Sequence, residues 1–133
     1  TTSKTVSYTP GCWEFCSTLV FDKDLSKISK GIVPFYEVFE IKDGDFFYTT
    51  ADVNLASEVF INSKRQQDGT YAEKIIFSVI DSDNMYNSLN KTIVIEKVLD
   101  NKVYFSVEYK KNSTEIIDKY YYDEATDRVV KIK

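Results

Sequence analysis

The chain has 133 residues, a net charge of −4 and a sequence pI of about 4.9. This length suits one domain with a substantial core, and the acidic balance argues against a nucleic-acid binder, which needs a basic surface. No histidine is present, so the commonest general base and the usual haem and zinc ligand are missing, and neither a metal nor a cofactor is predicted.

The first predicted strand begins at Gly11, after a polar N-terminal tail at residues 1–10. Period-two alternation places Trp13 and Phe15 on one face of this strand. Its two cysteines lie four residues apart in the sequence, which is about 13 Å in an extended strand. A disulfide needs Cα atoms within about 7 Å, so these two cysteines are not expected to pair with each other.

Four further strands are predicted in the middle of the chain. Aromatic and β-branched residues are frequent there and are bounded by turn signals. The two Asp-Gly dipeptides at 43–44 and 68–69 are strong hairpin signals. The predicted strands occupy residues 33–42, 45–53, 56–67 and 70–80.

The last of these strands carries a carboxylate among aromatic residues. Alternation places Tyr71, Glu73 and Phe77 on one face, so Glu73 is predicted to point inward. A buried carboxylate needs a partner, and Arg65 or Arg128 could supply one.

The second half of the chain continues in the same manner after a polar break at residues 81–90. Turns are predicted at 100–101 and 111–114, where Asp, Asn and Ser replace glycine. The strands that they connect are predicted at 91–99, 102–110, 115–123 and 128–133.

The predicted fold class is all-β, an antiparallel up-and-down meander of about eight to ten strands. Such a sheet must protect its two edge strands, and closing on itself into a small barrel does so. A barrel of this size has room for a side-chain core or one small ligand. A β-sandwich is the alternative architecture.

The opening strand resembles the lipocalin and calycin signature. Gly11 and Trp13 match its Gly-x-Trp motif, and Arg128 corresponds to the arginine near the C-terminal strand. The segments "FEIKDGDF" at 39–46 and "GTYAEKI" at 69–75 are similar to small exported lipocalin-like proteins of Bacteroidetes, a family of unknown function.

The resemblance implies a single lipocalin-like β-barrel domain at residues 11–133. In such a barrel Trp13, beside Gly11, would plug the closed end, with Arg128 packed across its indole ring in a cation–π contact of about 0.5–2 kcal/mol. It also implies export to the periplasm, the cell envelope or the extracellular space. It implies no reaction.

The leading functional hypothesis is a non-enzymatic barrel that binds a small apolar or amphipathic ligand in its interior, because no nucleophile–base pair is evident. The alternative is an exported protein-interaction module that acts through loops or a tyrosine-rich outer surface. Neither hypothesis fixes a protein partner or an oligomeric state, and no transmembrane segment is predicted. The residues predicted to line the cavity are Phe15, Phe39, Tyr71, Glu73, Phe77, Phe105 and Tyr109.

Overall fold

The computed structural model describes residues 5–8, 18–22, 28–32, 38–42, 44–52, 57–79 and 91–133. Within these ranges the chain forms eleven β-strands. They are β1 (Thr5–Tyr8), β2 (Thr18–Asp22), β3 (Ile28–Ile32), β4 (Phe39–Lys42), β5 (Asp45–Asp52), β6 (Ser57–Arg65), β7 (Tyr71–Ser78), β8 (Thr92–Leu99), β9 (Lys102–Lys111), β10 (Thr114–Asp123) and β11 (Arg128–Ile132).

The described strands form three antiparallel sheets in which chain neighbours are also sheet neighbours. One sheet contains β1 to β3, the second β4 to β7 and the third β8 to β11. The all-β antiparallel meander is therefore confirmed. The predicted N-terminal tail contains β1, which pairs with β2.

The predicted closure into a barrel is not found among the described strands, because no hydrogen-bonded strand pair joins one of these sheets to another. The two four-stranded sheets instead share a core, which is consistent with the β-sandwich alternative. Residues of β5 and β6 lie within 8 Å of β8, measured between Cα atoms. The two sheets therefore approach each other at this side.

Left-handed backbone at the hairpin turns explains why Asp, Asn and Ser occupy them. Between β8 and β9, Asp100 and Asn101 have φ of 51° and 60°, and between β9 and β10, Asn112 and Ser113 have φ of 51° and 65°. Type I′ turns require positive φ at both central residues, and Asn and Asp tolerate it better than most residues with a Cβ. The predicted turns at 100–101 and 111–114 are confirmed.

The turn between β4 and β5 requires glycine for two reasons. Gly44 has φ of 79°, and a Cβ built on it would lie 2.7 Å from the Cβ of Arg65. The backbone N–H of Arg65 also donates to the Gly44 carbonyl at 2.7 Å. A side chain at this position would be strained and would separate β6 from the turn.

Aromatic rings from both four-stranded sheets meet in one core. The ring centroid of Phe60 on β6 lies 4.9 Å from that of Phe105 on β9, and Phe47 on β5 lies 6.0 Å from Tyr122 on β10. These contacts remove large apolar surfaces from water and hold the sheets face to face. The buried members of this core are Phe47, Phe60, Val79, Ile93, Val103, Phe105, Val107 and Tyr122.

A β-bulge in β7 overturns the prediction that Tyr71, Glu73 and Phe77 share one face. Phe77 pairs with Phe60, but Ile61 pairs with Ile75, so Ile76 is an extra residue. Because one inserted residue reverses the alternation, Phe77 faces the shared core, whereas Tyr71 and Glu73 lie on the opposite face.

The opposite face of the β4–β7 sheet is also buried. Phe46 is fully buried and Tyr48 is nearly so, and they pack with three partly buried side chains. Both faces of β5 therefore bury large aromatic residues, as expected for a central strand. The partly buried neighbours are Val38, Ile61 and Tyr71.

We expect Phe60→Ala to lower the free energy of unfolding by about 3–5 kcal/mol, because it leaves a cavity between the two sheets. Ile117→Ala is the control, since Ile117 is 48% exposed and surface changes usually stay within about 0.5 kcal/mol. Urea unfolding followed by circular dichroism measures both. Equal losses in the two variants would contradict the shared core.

Candidate functional site

The residues predicted to line a cavity divide between the two faces of the β4–β7 sheet. Phe105 is a buried member of the shared core, and Phe39, Phe77 and Tyr109 are partly buried against it. Tyr71 packs on the other face. Phe15 lies outside the described residues.

Two of the rings predicted to line a cavity, Phe77 and Phe105, contact each other and Tyr120. The centroid of Phe77 lies 5.3 Å from that of Phe105 and 5.1 Å from that of Tyr120. Phe105 and Tyr120 are stacked at 5.3 Å with an interplanar angle of 12°. These separations are contact distances for aromatic pairs, so the space among these rings is filled by the protein itself.

Glu73 is exposed, and a tyrosine hydroxyl binds its carboxylate. The hydroxyl of Tyr48 donates to Oε1 of Glu73 at 3.0 Å. Burial of Tyr48, together with the nearby charge of Glu73, raises the pKa of this phenol. Tyr48 therefore remains a neutral hydrogen-bond donor that ties β5 to β7.

The predicted barrel plug is only partly described. Gly11 and Trp13 lie outside the described residues. Arg128 begins β11 opposite Asp123, and its side chain is exposed. The proposed packing of Arg128 on the indole stays a prediction.

The turn between β10 and β11 comprises residues 124–127, and we call the end of the two four-stranded sheets beside it the turn end. Polar side chains join the two sheets there. The Nζ atoms of Lys42 and Lys64 lie 3.6 and 3.8 Å from Oε1 of Glu124. Lys74 forms an ion pair with Asp127, which also accepts the hydroxyl hydrogen of Tyr122. These contacts connect β4, β6 and β7 to the opposite sheet.

A buried carboxyl lies beneath these ion pairs. Asp45 is 2% exposed, and the amide nitrogen of Asn62 donates to its Oδ1 at 2.5 Å. Burial is the main cause that raises the pKa of Asp45, and interaction with the Glu124 carboxyl raises it further. Because Asp45 is almost completely buried, its carboxyl favours a structural role over general acid–base catalysis.

Sequence reasoning did not single out Asp45, Glu124 or Glu58. Alternation puts Asp45 on the face of Phe47 and Glu58 on the face of Phe60. The sequence pattern therefore contains a signal that both carboxylates point inward. Glu124 lies in a turn, and no local pattern links it to Asp45.

Glu58 connects the two sheets at a second place. Its Oε1 accepts the backbone N–H of Ile93 at 3.2 Å, and its backbone carbonyl accepts the N–H of Val79 at 3.4 Å. Burial raises the pKa of Glu58 to about 7. The hydrogen bond from Ile93 opposes this rise without cancelling it.

The hairpin between β9 and β10 borders a surface cavity of about 330 Å³. Its described lining residues are Glu108, Tyr109, Lys110 and Glu115. Because three consecutive β9 residues alternate between the two faces of the sheet, the cavity borders the hairpin and is not enclosed between the sheets.

The inner face of this hairpin carries a polar cluster. The hydroxyl of Tyr109 donates to Oδ2 of Asp118 at 3.1 Å, and Nζ of Lys131 lies 3.5 Å from Oδ1 of the same residue. Nζ of Lys91 lies 5.0 Å from the centre of the Tyr109 ring. The aromatic core therefore ends here in charged side chains.

The outer face of the β8–β11 sheet carries a cross-strand row of different character. Lys97, Tyr104, Tyr121 and Val130 are successive partners on the four strands. We call these four residues, together with Lys102, the tyrosine face.

Cation–π contacts organise the tyrosine face. The two tyrosine ring centroids are 5.7 Å apart. The Nζ of Lys97 lies 5.1 Å from the Tyr104 centroid, and that of Lys102 lies 5.3 Å from the Tyr121 centroid. These contacts favour particular orientations of the two rings on the surface.

The described residues contain neither a candidate metal site nor a candidate membrane-spanning helix. No group of three or more Asp, Glu, His or Cys side chains in these ranges could hold a metal ion. In the same part of the chain, no helix is long and apolar enough to cross a membrane.

No protein-family model, curated protein or solved structure matches the chain. The lipocalin-like resemblance stays a prediction.

We expect Glu58→Gln to reduce the fall in stability as the pH rises through neutrality. Because the pKa of Glu58 is raised in the folded protein, its contribution to the free energy of unfolding is complete below the ordinary pKa of 4.5. This contribution is lost as the pH rises through about 7. Glutamine keeps an oxygen for the N–H of Ile93 and has no charge to bury. Urea midpoints of the wild type and the variant, measured from pH 5 to pH 8.5, check this.

The matched control is Glu115→Gln, because Glu115 is exposed. It should leave the slope of midpoint against pH unchanged. A Glu58→Gln slope equal to that of the wild type would show that Glu58 does not titrate in this range.

Proposed function

We propose that this protein is a non-enzymatic binding module and that it binds a protein partner through the tyrosine face. The observation that carries the proposal is the row of Lys97, Tyr104, Tyr121 and Val130 across all four strands of one sheet. Tyrosine presents a large, rigid contact area together with a hydroxyl, and it is enriched at protein interfaces.

Exposed apolar side chains extend this surface. Val130 is 38% exposed, and Ile117 and Ile132 on the same face of β10 and β11 are 48% and 39% exposed. Scattered apolar residues are normal on a protein surface, but grouping beside aromatic residues marks interaction sites. The mixed charges around the face would form the polar rim that interfaces usually have.

The tyrosine-rich segment contributes one ring to this face. Tyr120 and Tyr122 point into the shared core, whereas Tyr121 points outward and pairs with Tyr104. A partner would therefore contact Tyr121, and replacing its two neighbours would damage folding instead.

A small ligand is the second candidate, and the cavity of about 330 Å³ beside the β9–β10 hairpin supports it. This volume lies at the lower end of the range of ligand pockets, about 300–1,000 Å³. Tyr109 and the carboxylates of Glu108 and Glu115 offer an aromatic surface and hydrogen-bond acceptors. The ligand would then bind at the hairpin, not among the core rings.

The lipocalin-like barrel and export to the periplasm, cell envelope or extracellular space are proposals that rest on the resemblance of the opening strand. Barrel closure needs a hydrogen-bonded ladder between sheets. The two four-stranded sheets come near each other where β5 and β6 approach β8.

We expect the double variant Tyr104→Ser, Tyr121→Ser to weaken partner binding by about thirtyfold or more, because an interface hot spot contributes about 2 kcal/mol or more. The first measurement is sedimentation of the pure protein over a range of concentrations, which tests a second copy as the partner. The next is chemical cross-linking in an extract of its own host, followed by affinity measurement with the captured protein.

The control for the double variant is Ile75→Ser, since Ile75 is 47% exposed on the other four-stranded sheet. Urea midpoints establish that all variants are folded. Binding that the double variant retains at wild-type affinity would exclude the tyrosine face.

For the ligand candidate, native mass spectrometry of protein purified from its host should show an added small-molecule mass. We expect Glu115→Trp, which places a bulky ring at the cavity, to remove that mass, whereas Glu115→Gln should keep it. A mass that survives Glu115→Trp would place the ligand elsewhere.

A further inference from the structure

Among the described strands, the two four-stranded sheets have four outer strands, and three of these carry a β-bulge. β4, β7 and β8 each contain one extra residue relative to the neighbouring strand, at Ile41, Ile76 and Glu96 respectively. A bulge bends an edge strand and disturbs the row of backbone groups that it presents, so it hinders the addition of another strand. The register of β11 with β10 is regular from Arg128 to Ile132, so β11 is the outer strand best able to accept a further strand.

The outer edge of β11 is accessible. Among the described strands β11 pairs with β10 alone, and four of its five residues are exposed. Two of them are apolar, since Val130 is 38% and Ile132 is 39% exposed on the outer face. An edge strand that exposes apolar side chains is a template for pairing with another strand.

The charge of Lys131 is directed toward its own sheet. Charged side chains on an edge strand normally discourage pairing. The Nζ atom of Lys131, however, lies 3.5 Å from Oδ1 of Asp118 and 5.9 Å from the centre of the Tyr120 ring. Both partners belong to β10, which lies on the side away from the outer edge. A strand that approached β11 would therefore not meet an unpaired charge at this position.

The sequence of β11 is complementary to itself in one antiparallel register. A two-fold axis through Val130 pairs all five residues of each strand, with Arg128 opposite Ile132 and Val129 opposite Lys131. No cation then lies opposite a cation, which would be destabilising. An axis through Lys131 would place two lysines opposite each other, and an axis through Val129 would pair only three residues of each strand.

We propose that two copies of this chain pair their β11 strands antiparallel about a two-fold axis through Val130, so that two β8–β11 sheets join into one sheet of eight strands. Pairing of one surface with itself about a two-fold axis is the commonest arrangement in homo-oligomers. The same axis brings Lys133 of one copy toward Asp127 of the other, and these opposite charges attract each other.

The eight-stranded sheet would make the tyrosine face continuous across the dimer. Val130 is the last member of the row that begins with Lys97, so the row of one copy continues into Val130, Tyr121 and Tyr104 of the second copy. Edge pairing goes beyond the function proposed above, because it uses the backbone of β11 and leaves the tyrosine rings uncovered. A partner of the tyrosine face would meet two such rows end to end.

The first test is the dissociation constant of the dimer. One five-residue strand from each copy covers a small area, and small interfaces are weak and transient, so sedimentation of the pure protein should extend to about 1 mM. We expect Val130→Lys to raise the dissociation constant about tenfold or more, because it places two cations opposite each other. Ile75→Lys, at an exposed position on the other four-stranded sheet, should leave it unchanged.

The second test is the register, read from single cysteines in the full chain under oxidation by glutathione disulfide. Val130→Cys places two thiols opposite each other at the two-fold axis, where paired Cα atoms lie about 4.5–5.5 Å apart, within the range of a disulfide. Ile132→Cys is the matched control, because it has the same face and almost the same exposure. Its Cα would lie about 13 Å from its counterpart along the strand.

We expect about tenfold more linked dimer from Val130→Cys than from Ile132→Cys, since Cα atoms more than about 7 Å apart cannot be bridged. Mass spectrometry of proteolytic peptides distinguishes this link from any bond of the native Cys12 and Cys16. Equal linking at the two positions would overturn the proposal, and so would a protein that stays monomeric over the whole concentration range. The cysteine comparison decides the proposal even if Val130→Lys does not fold.

Adding Val130→Cys to the variant Tyr104→Ser, Tyr121→Ser separates this proposal from the proposed function. The link should persist there, because the contact is made by the backbone of β11. A link that disappears in this variant, with an unchanged urea midpoint, would show that two copies associate through the tyrosine face. That result would overturn the edge pairing and support the proposed function.

Discussion

Ring-to-ring packing between the two four-stranded sheets is the contact on which the rest of the structure depends. Phe60 on β6 meets Phe105 on β9 at 4.9 Å, and neighbouring rings extend this contact in both directions. Once these rings are in place, alternation decides which side chains face outward. The tyrosine face is therefore positioned by the core, and it can vary in sequence without disturbing the packing that supports it.

Polar side chains complete what the rings begin. At the turn end, ion pairs join the sheets, while at the β9–β10 hairpin the core ends in a tyrosine, an aspartate and a lysine. Charges at both ends of an apolar layer restrict how far one sheet can slide over the other, because sliding would separate these partly exposed ion pairs, each of which contributes only a small stabilisation. The rings contribute most of the buried area, and the polar groups align the two four-stranded sheets with each other.

Much of the fold follows from local sequence patterns. Alternating residues and Asp-Asn or Asn-Ser turns predict the strands from β8 to β11, because period two and positive φ are properties of neighbouring residues. No local sequence pattern indicates the bulge at Ile76, which places Tyr71 and Glu73 on the face opposite to that of Phe77. Likewise, no local sequence pattern indicates that Lys42 and Lys64 lie beside Glu124, since those contacts depend on how two sheets pack. The interior ligand site stays a prediction, because alternation shows which rings point inward, but the space between them depends on the opposite sheet.

Because of its bulge, β7 packs against two separate apolar clusters, one on each face of its sheet. Its first half supplies Tyr71 to the cluster of Phe46 and Tyr48, and its second half supplies Phe77 to the cluster of Phe105. A slip of one residue in the pairing with β6 would expose both sets of apolar side chains together. Because β7 contributes to both clusters, it cannot leave one of them while it stays packed in the other. A single misregistered strand would disrupt both clusters, and this dependence favours an all-or-none unfolding transition.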